Sequence, residues 1–485
     1  MSTRPQVIVV GDAVLDVDID GRVDRLCPDA PVPVLDVTDT RESPGGAGLA
    51  ALLCAAGARV TLVAPVADDD AGVRLTALLT GAGVTVLALP HAGATRRKVR
   101  VRSAGQSLVR VDDGGPGTPG GVPADAVAAA LAGADAVLVS DYGAGTTRHP
   151  VLRDLLARAA RGTPVVWDPH PRGAPPVPGV TLATPNQAEA LGRVTQPAPP
   201  DVVAGVLARQ WEARAVCVTA GATGAFLAAA GTEPVFLPAV PVTGGDPCGA
   251  GDRFAASVTL ALAGGALVSA AVVRAVADAS QWVAAGGAEA LRRRSRAGAA
   301  RPTQPANLDG RPASDQQRTR PPGTEPADPP SGRRLADVAA RLRVDGGTLV
   351  ATGGCFDIVH AGHVATLQAA RRLGDHLVVL MNSDASVTRL KGPGRPVVTA
   401  AERARVLEAF DCVDAVVVFD DDDPRAALER LRPDVWAKGG DYGATPLPEA
   451  ETVRRHGGRV VLLPYRDGMS TTTIIERSAA TAART

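Results

Sequence analysis

Lysine is almost missing from this chain: of 51 basic residues only Lys98, Lys391 and Lys438 are lysine. A compositional bias toward Arg, Ala, Gly and Pro accounts for the scarcity, and under it a surface lysine drifts easily to arginine. The survivors are expected where a compact ammonium is needed and a planar fork does not fit, as beside a phosphate. Net charge is missing too, with 51 basic against 51 acidic residues, which removes the electrostatic case for a nucleic-acid partner. No apolar run is long enough to span a bilayer, so no membrane association is expected. The opening MSTRPQVIVVGD leads straight into a strand pattern, without the longer apolar core and cleavage site of a secretory signal. The six cysteines, Cys27, Cys54, Cys217, Cys248, Cys355 and Cys412, include no C-x-x-C pair. That excludes neither packing nor chemistry for any one of them, but it speaks for reduced thiols and a cytoplasmic location rather than a disulfide framework or a zinc site.

Foldable composition is itself missing from residues 297–332. The stretch holds eight prolines, no aromatic residue, and Leu308 as its one large apolar side chain. It cannot bury enough apolar surface to offset the entropy of ordering its backbone. We therefore expect a Pro-rich linker between domains at 1–296 and 333–485. As a flexible coil it would span roughly 30–36 Å, enough to tether two sites without fixing their orientation. Cutting it, for example near Arg320, is expected to leave the activities on both sides unchanged.

On the first side, short apolar runs alternate with helix-length stretches. Val7–Val10, Val60–Val63, Ala136–Val139, Val165–Trp167 and Ala215–Val218 read as strands, and Val151–Ala160 as a helix, the α/β pattern of a mainly parallel sheet. Asp12, Asp141 and Asp168 follow strand ends, where ligands of open α/β sheets sit; acids at these positions also simply start turns. The sharpest signal is Asp246-Pro247-Cys248-Gly249-Ala250-Gly251-Asp252-Arg253-Phe254. Its glycines would turn tightly into a helix N-terminus that offers amides and a positive dipole end to an anion. Asp252 in the first turn could take a hydroxyl proton, so the stretch supplies a charge cradle and a base for phosphoryl transfer. Helix capping is the plainer use of the same residues.

This stretch resembles the D-T-x-G-A-G-D-x-F signature of the ribokinase-like (PfkB) sugar kinases. Gly45-Gly46 resembles the family's sugar-contacting glycine pair, and Asn186 with Glu189 its N-x-x-E element, which helps organise Mg²⁺ and phosphates. VGDAVLD, RLCPDAPVPVLDV, TRRKVRVRSAGQSLVRVD, SDYGAG and TPNQAEA further resemble the heptose 7-phosphate kinase members. The resemblance implies that Asp12 holds sugar hydroxyls and that Lys98, Arg100 and Arg102 lie near the sugar-phosphate pocket. Alternation independently sets positions 98, 100 and 102 on one strand face, where three cations repel unless an anion joins them; a solvated edge strand is the alternative. Leu49 stands where the family usually has asparagine and Cys248 where it has threonine, which bears on the sugar more than on the kinase chemistry. A small packed thiol is the expected role of Cys248.

On the second side, a helix over Leu335–Leu342 and a strand over Thr348–Thr352 lead to Gly353-Gly354-Cys355-Phe356-Asp357-Ile358-Val359-His360-Ala361-Gly362-His363, followed by a helical run to Leu373. His360 and His363, spaced i and i+3, share a face at the helix start. There they suit a nucleotide polyphosphate, held by dipole and amides while the rings donate to phosphoryl oxygens. H-x-G-H lacks a nearby third metal ligand and differs from H-E-x-x-H. Strands follow at His376–Met381, Ala415–Phe419 and Val460–Leu463, and the run Asp420–Asp423 reads as a strand-to-helix loop rather than a metal site. The pattern G-x-F-D-x-x-H-x-G-H resembles the nucleotidyltransferase superfamily, with Gly354 and Phe356 in it. Arg389 and Lys391 in R-L-K-G-x-G-R-P, Lys438 in K-G-G-D-Y, and Ser470, Thr471 and Thr472 in G-x-S-T-T resemble the nucleotide contacts of the heptose 1-phosphate adenylyltransferase domain.

Both halves thus resemble the two domains of the bifunctional ADP-heptose synthesis enzymes, in the same order. The implied architecture is α/β throughout: a ribokinase-like three-layer domain followed by a smaller Rossmann-like nucleotidyltransferase domain. The implied substrates are ATP with Mg²⁺ (through Glu189) and heptose phosphates, in a homodimer formed through the kinase domain. Two alternatives stay open, another sugar or nucleotide, and a kinase half kept only for binding or dimerisation.

Overall fold

The structure is a computed structural model that describes residues 4–91, 93–115, 117–294, 333–344, 346–439 and 447–463. The proposed linker and the Ser470-Thr471-Thr472 motif lie outside the described residues. From the N-terminus, β1 (Gln6–Gly11) is followed by two long strands, β2 (Ala13–Leu26) and β3 (Pro33–Gly46), then β4 (Arg59–Pro65), β5 (Val84–Leu89) and a hairpin of β6 (Arg97–Ser103) and β7 (Gln106–Asp113). Next come β8 (Ala136–Ser140), β9 (Val165–Asp168), the two-residue β10 (Leu182–Ala183), β11 (Ala215–Thr219), and the antiparallel pair β12 (Gly224–Ala229) and β13 (Val235–Pro238). The expected strands and the helix, Pro150–Ala159, all form. Strands β5, β4, β1, β8, β9, β10 and β11 are parallel in that order. Helices cover both faces, and the runs of valine and leucine at 0–1% exposure in β1 and β8 follow from burial on two sides.

A separate sheet of order β3-β2-β6-β7 projects from this core. Its register resolves the cation problem. Parallel pairing of β2 with β6 sets Asp16, Asp18 and Asp20 beside Lys98, Arg100 and Arg102. Arg100 pairs with Asp16 at 3.1 Å, and Arg102 with Glu289 of the helix Gly287–Arg294 at 3.2 Å. Arg100 and Arg102 share this face because carboxylates of a neighbouring strand and helix pair with them, while Lys98 lies over the Tyr142 ring.

In the second half, β14 (Leu349–Gly354), β15 (His376–Asn382), β16 (Ala415–Phe419), β17 (Val435–Gly439) and β18 (Arg459–Leu463) form parallel pairs. Here the structure departs from a loose tether. β18 pairs with β13, so one sheet of fourteen strands runs through both halves. Leu462 N–H donates to the Pro234 carbonyl at 2.8 Å, and Arg459 Nε reaches Asp201, 2% exposed, at 2.7 Å. Arg454 pairs with Glu233, and Arg372 donates to the Ala239 carbonyl at 3.0 Å. Phe226 and Phe236 pack into a cluster with Val350, Leu367 and Val461, each such burial contributing roughly 2–3 kcal/mol. Composition of a linker says nothing about surfaces that meet elsewhere, which is why the sequence suggested free orientation.

A direct consequence is that the halves stay together without the linker. After proteolysis at a site engineered within 297–332, the fragments should co-elute in gel filtration. Asp201→Arg should weaken their association by ~3 kcal/mol, about a hundredfold, and adding Arg459→Asp should restore it. Separate elution of the unmodified fragments at micromolar concentration would refute this docking.

Candidate functional sites

In the first half the helix Ala250–Ala263 begins at Gly249, whose φ of 76° is open to glycine at little cost. A side chain there would also press on Leu49. The peptide before it is braced: Cys248 N–H donates to Asp246 at 2.9 Å, and Trp282 Nε1 donates to the Cys248 carbonyl at 2.9 Å. Ala250 N–H already donates to the Pro247 carbonyl at 3.0 Å. Of the three amides expected in the cradle, this one therefore reaches an anion only if its turn opens. Cys248 is exposed as a residue rather than packed as expected. Its sulfur is still partly withdrawn from water, which raises the thiol pKa, so its place at a helix start does not make it a reactive thiolate.

Asp252 is 7% exposed. Burial pushes its carboxyl up from 3.8 to about 6, while the Tyr142 hydroxyl and the Lys98 charge pull it back. Lys98 lies 5.4 Å above the Tyr142 ring, and burial lowers its pKa. Asp168, at the end of β9 and hydrogen-bonded by Thr184 at 2.9 Å, is raised well above the carboxylate range by burial and then by Asp252. Gly45 and Gly46 close β3 against this site. A Cβ on Gly45 would meet the Asp16 carboxylate at 2.3 Å, and Gly46 takes φ 58° with the Asp12 carbonyl and Tyr142 ring close by. Asn186 and Glu189 bond each other in a capping box at the start of the helix Gln187–Leu191, so both have a local structural task.

Asp12 differs from the expectation. It is 2% exposed, and its carboxylate accepts the backbone N–H groups of Tyr142 (2.9 Å), Ala144 (3.0 Å) and Thr146 (3.2 Å). A carboxylate so occupied holds a loop rather than a sugar. Asp16, four residues on, is the carboxylate beside Gly45. The alternation Asp16, Asp18, Asp20 against Lys98, Arg100, Arg102 was a signal for it that pairing alone makes readable. Tyr142, inside SDYGAG, had no signal beyond that motif.

In the second half His360 caps the helix Ala361–Arg371. Its Nδ1 accepts Gly362 N–H at 3.1 Å, and His363 Nδ1 accepts His360 N–H at 3.4 Å, a capping box built from two imidazoles. These bonds assign the tautomer: in the neutral rings the proton sits on Nε2, leaving each a donor away from the backbone. The rings lie 4.0 Å apart, and burial followed by the His360 charge pushes His363 down to about 4. Phe356, at φ 45°, sets its ring 5.2 Å from His363. Gly354 ends β14 with the Phe356 ring against it. Asp357 accepts Val397 N–H at 2.7 Å and pairs with Arg395, so the motif carboxylate anchors the basic loop. Arg403, 1% exposed, donates to the carbonyls of Cys355, Asn382 and Val398 and pairs with Asp384 at 2.7 Å, tying the ends of β14 and β15 together. No sequence signal marked it.

The expected phosphate contacts divide. Lys391 ends the helix Asp384–Lys391 and is exposed, near enough to Cys355 to act on its thiol. Arg389 instead pairs with Asp422 at 2.7 Å and with Asp420. Lys438 pairs with Glu449, 5% exposed, at 3.2 Å. The aspartate run is thus occupied by Arg389, by Ser383 on Asp420, and by Arg425 on Asp423.

Residues 4–293 match the pfkB family carbohydrate kinases, and residues 351–477 the cytidylyltransferase-like family. Over 98% of its length the chain is 48% identical to the bifunctional protein HldE of Streptomyces coelicolor, covering 97% of that protein. The chain belongs to the HldE family. The HldE of Alkalilimnicola ehrlichii is 39% identical over 98% of this chain and 97% of its own, and that of Caulobacter vibrioides 37% over 97% and 96%. Among solved structures, a putative ribokinase from Agrobacterium tumefaciens is 23% identical over 60% of this chain and 99% of its own, with a TM-score of 0.46. As an HldE-family chain the protein is an enzyme with two domains, a carbohydrate kinase and a nucleotidyltransferase, fitting ADP-heptose biosynthesis. No helix among the described residues is long and apolar enough to cross a membrane.

Proposed function

We propose that the first half phosphorylates D-glycero-D-manno-heptose 7-phosphate at C1 and that the second makes ADP-heptose and pyrophosphate from heptose 1-phosphate and ATP. The observation that carries the kinase reading is Asp252, buried beside a glycine turn at a helix start with its carboxyl at about 6. A base near the working pH takes the C1 hydroxyl proton as that oxygen attacks the γ-phosphorus and ADP leaves. The amides of Gly249 and Gly251, with Ala250 as its turn opens, meet the developing charge. Lys98 faces the sugar phosphate, with Arg100 joining it as phosphate charge competes with Asp16. Asp16, paired with Arg100 rather than with the amides of a loop, is better placed to hold sugar hydroxyls than Asp12.

In the second half an ionised sugar phosphate attacks the α-phosphorus of ATP, so no base is needed. His360 and His363 donate from Nε2 to the phosphates. Lys391 joins them directly, while Arg389 and Lys438 do so as nucleotide charge competes with Asp422 and Glu449. Gly354 and Phe356 form the floor, with Ser470, Thr471 and Thr472 as further phosphate contacts. Among the described residues no cluster of three side chains could hold a metal. Mg²⁺ would arrive on the ATP phosphates, which needs only one or two carboxylates, and Glu189 is the one we assign. The ion would neutralise phosphate charge.

Residues 1–296 and 333–485 are read as the two domains, joined by 297–332; the last helix before that stretch is Gly287–Arg294 and the first after it Arg333–Leu342. A cytoplasmic location accords with six unpaired cysteines, and a homodimer through the kinase half is supported by exposed apolar side chains on the projecting sheet, Val37 at 57% and Val109 at 51%. Leu49 is apolar against Gly249, and the resemblance to sugar kinases that usually have asparagine near this point favours testing other sugars. Purified protein given ATP or CTP with heptose or hexose phosphates, with products weighed by mass spectrometry, should yield ADP with heptose bisphosphate, and pyrophosphate with ADP-heptose. Turnover of hexose phosphates or CTP alone would overturn the assignment.

A further inference from the structure

We propose that Tyr142 is a positioning residue of the kinase site, its phenol holding the Asp252 carboxylate in place to meet the sugar hydroxyl while Asp12 clamps the loop beneath it. The proposal rests on Asp252 being the base. It joins three features that neither the motifs nor the charge pattern connected.

The phenol oxygen lies 2.7 Å from Asp252 Oδ1 and 2.9 Å from Oδ2, so one O–H is shared across both carboxylate oxygens. A shared donor fixes the carboxylate plane yet leaves each oxygen a lone pair for a substrate hydroxyl. The ring is positioned from every side. Gly46, from the end of β3, lies so close that a Cβ there would sit 3.5 Å from the ring; Lys98, from β6, lies above it; His170 stacks at 6.5 Å. These are the elements in which the sugar was expected to sit, and Tyr142 stands between them and the base.

The backbone beneath is wired to match. Asp12, just beyond β1, accepts N–H groups from Tyr142, Ala144 and Thr146, and Asp141 accepts Gly143 N–H at 2.7 Å and the Thr147 hydroxyl at 2.7 Å. Gly143 and Gly145 take φ of 71° and 118°, which lets the loop curl around the Asp12 carboxylate. A buried carboxylate with this many amide partners holds one loop conformation firmly, since removing it would leave several donors unpaired.

The chemistry follows. Burial and the Asp252 charge hold the phenol pKa well above 10, so the hydroxyl is a permanent donor and never competes for the substrate proton. That proton passes from the sugar hydroxyl to Asp252 as the oxygen–phosphorus bond forms. Asp252 also faces Lys98 from β6, Asp16 from β2 and Asp168 from β9, and Tyr142 faces His170. The Tyr142 bond acts with Lys98 to keep the base ionised against burial and the two acids.

The test is Tyr142→Phe in the full-length chain, with kcat/KM for sugar phosphorylation followed from pH 5.5 to 8.5. Adenylyl transfer by the same protein reports that it is folded. The acid limb should move to higher pH, with a loss of ~10–100-fold at pH 6 that shrinks toward pH 8. His170→Asn separates the imidazole's own titration, and the Tyr142-dependent shift should persist in that background. Asp12→Asn, which turns one acceptor of the clamp into a donor, should move the limb in the same direction and serves if Tyr142→Phe does not fold. A loss equal at all pH values, or an unmoved limb in both variants, overturns the positioning role. Phosphorylation that survives in Asp252→Asn would instead sink the base assignment.

Discussion

Asp252→Asn should lower sugar phosphorylation by at least about 10²–10⁴-fold, the usual contribution of a general base, while adenylyl transfer stays at its normal rate. The amide keeps the volume and can still accept the Tyr142 hydroxyl, so the change removes basicity and little else. Stability should move the other way. Folding raises this carboxyl from 3.8 to about 6 because it is buried. Stability linked to such a group is complete below pH 3.8 and is lost as pH rises through about 6. At pH 7.5 the unsubstituted protein therefore carries an ionised buried group and the variant does not. The difference is on the order of 2–3 kcal/mol, seen as a higher melting temperature that converges with the unsubstituted value as pH falls. Lost activity with raised stability distinguishes lost chemistry from lost fold. A variant that melts lower at pH 7.5 would show that the charge is compensated after all.

His363→Ala should give the reverse, a loss of adenylyl transfer by about 10²–10³-fold, the effect of removing one oxyanion donor, with phosphorylation unchanged. The imidazole is pushed down to about 4, so near neutral pH it acts as an uncharged Nε2–H donor. Removing it also releases the His360 N–H that it accepts, which loosens the helix start by about 1 kcal/mol. Assaying both half-reactions on each variant completes the cross. If either substitution removed both activities in a protein that still melts cooperatively, two separate sites would no longer describe it.

The two sites were legible in the sequence to different depths. Short motifs with fixed spacing, Gly249 to Asp252 and His360 to His363, are built from residues adjacent in the chain, so their local geometry survives without knowledge of the fold. The burial that tunes them does not. Nothing near Asp252 in sequence announces Tyr142, 110 residues away, and nothing near Cys355 announces Arg403. Asp12 was singled out as a strand-end acid, and Asp16, inside the strand that follows, was not. Only the loop curling back over Asp12 assigned one to structure and left the other beside Gly45. Lys438 stands at a strand end as expected, but it has a buried carboxylate partner. That partner, Glu449, lies beyond the K-G-G-D-Y stretch and belongs to no motif, so only the fold brings the two together.

From the sequence alone came the α/β class, the two-part organisation, the order of the parts and the local motifs, because period, turn chemistry and spacing are properties of neighbours along the chain. The tertiary structure alone decided which acids pair with Arg100 and Arg102, which of two nearby carboxylates is taken up by loop amides, and how the halves meet. Each depends on register or on an edge left unpaired. Among the described strands β13 and β18 lie at the edges of their own halves, and pairing their backbone groups with one another joins two enzymes into one sheet.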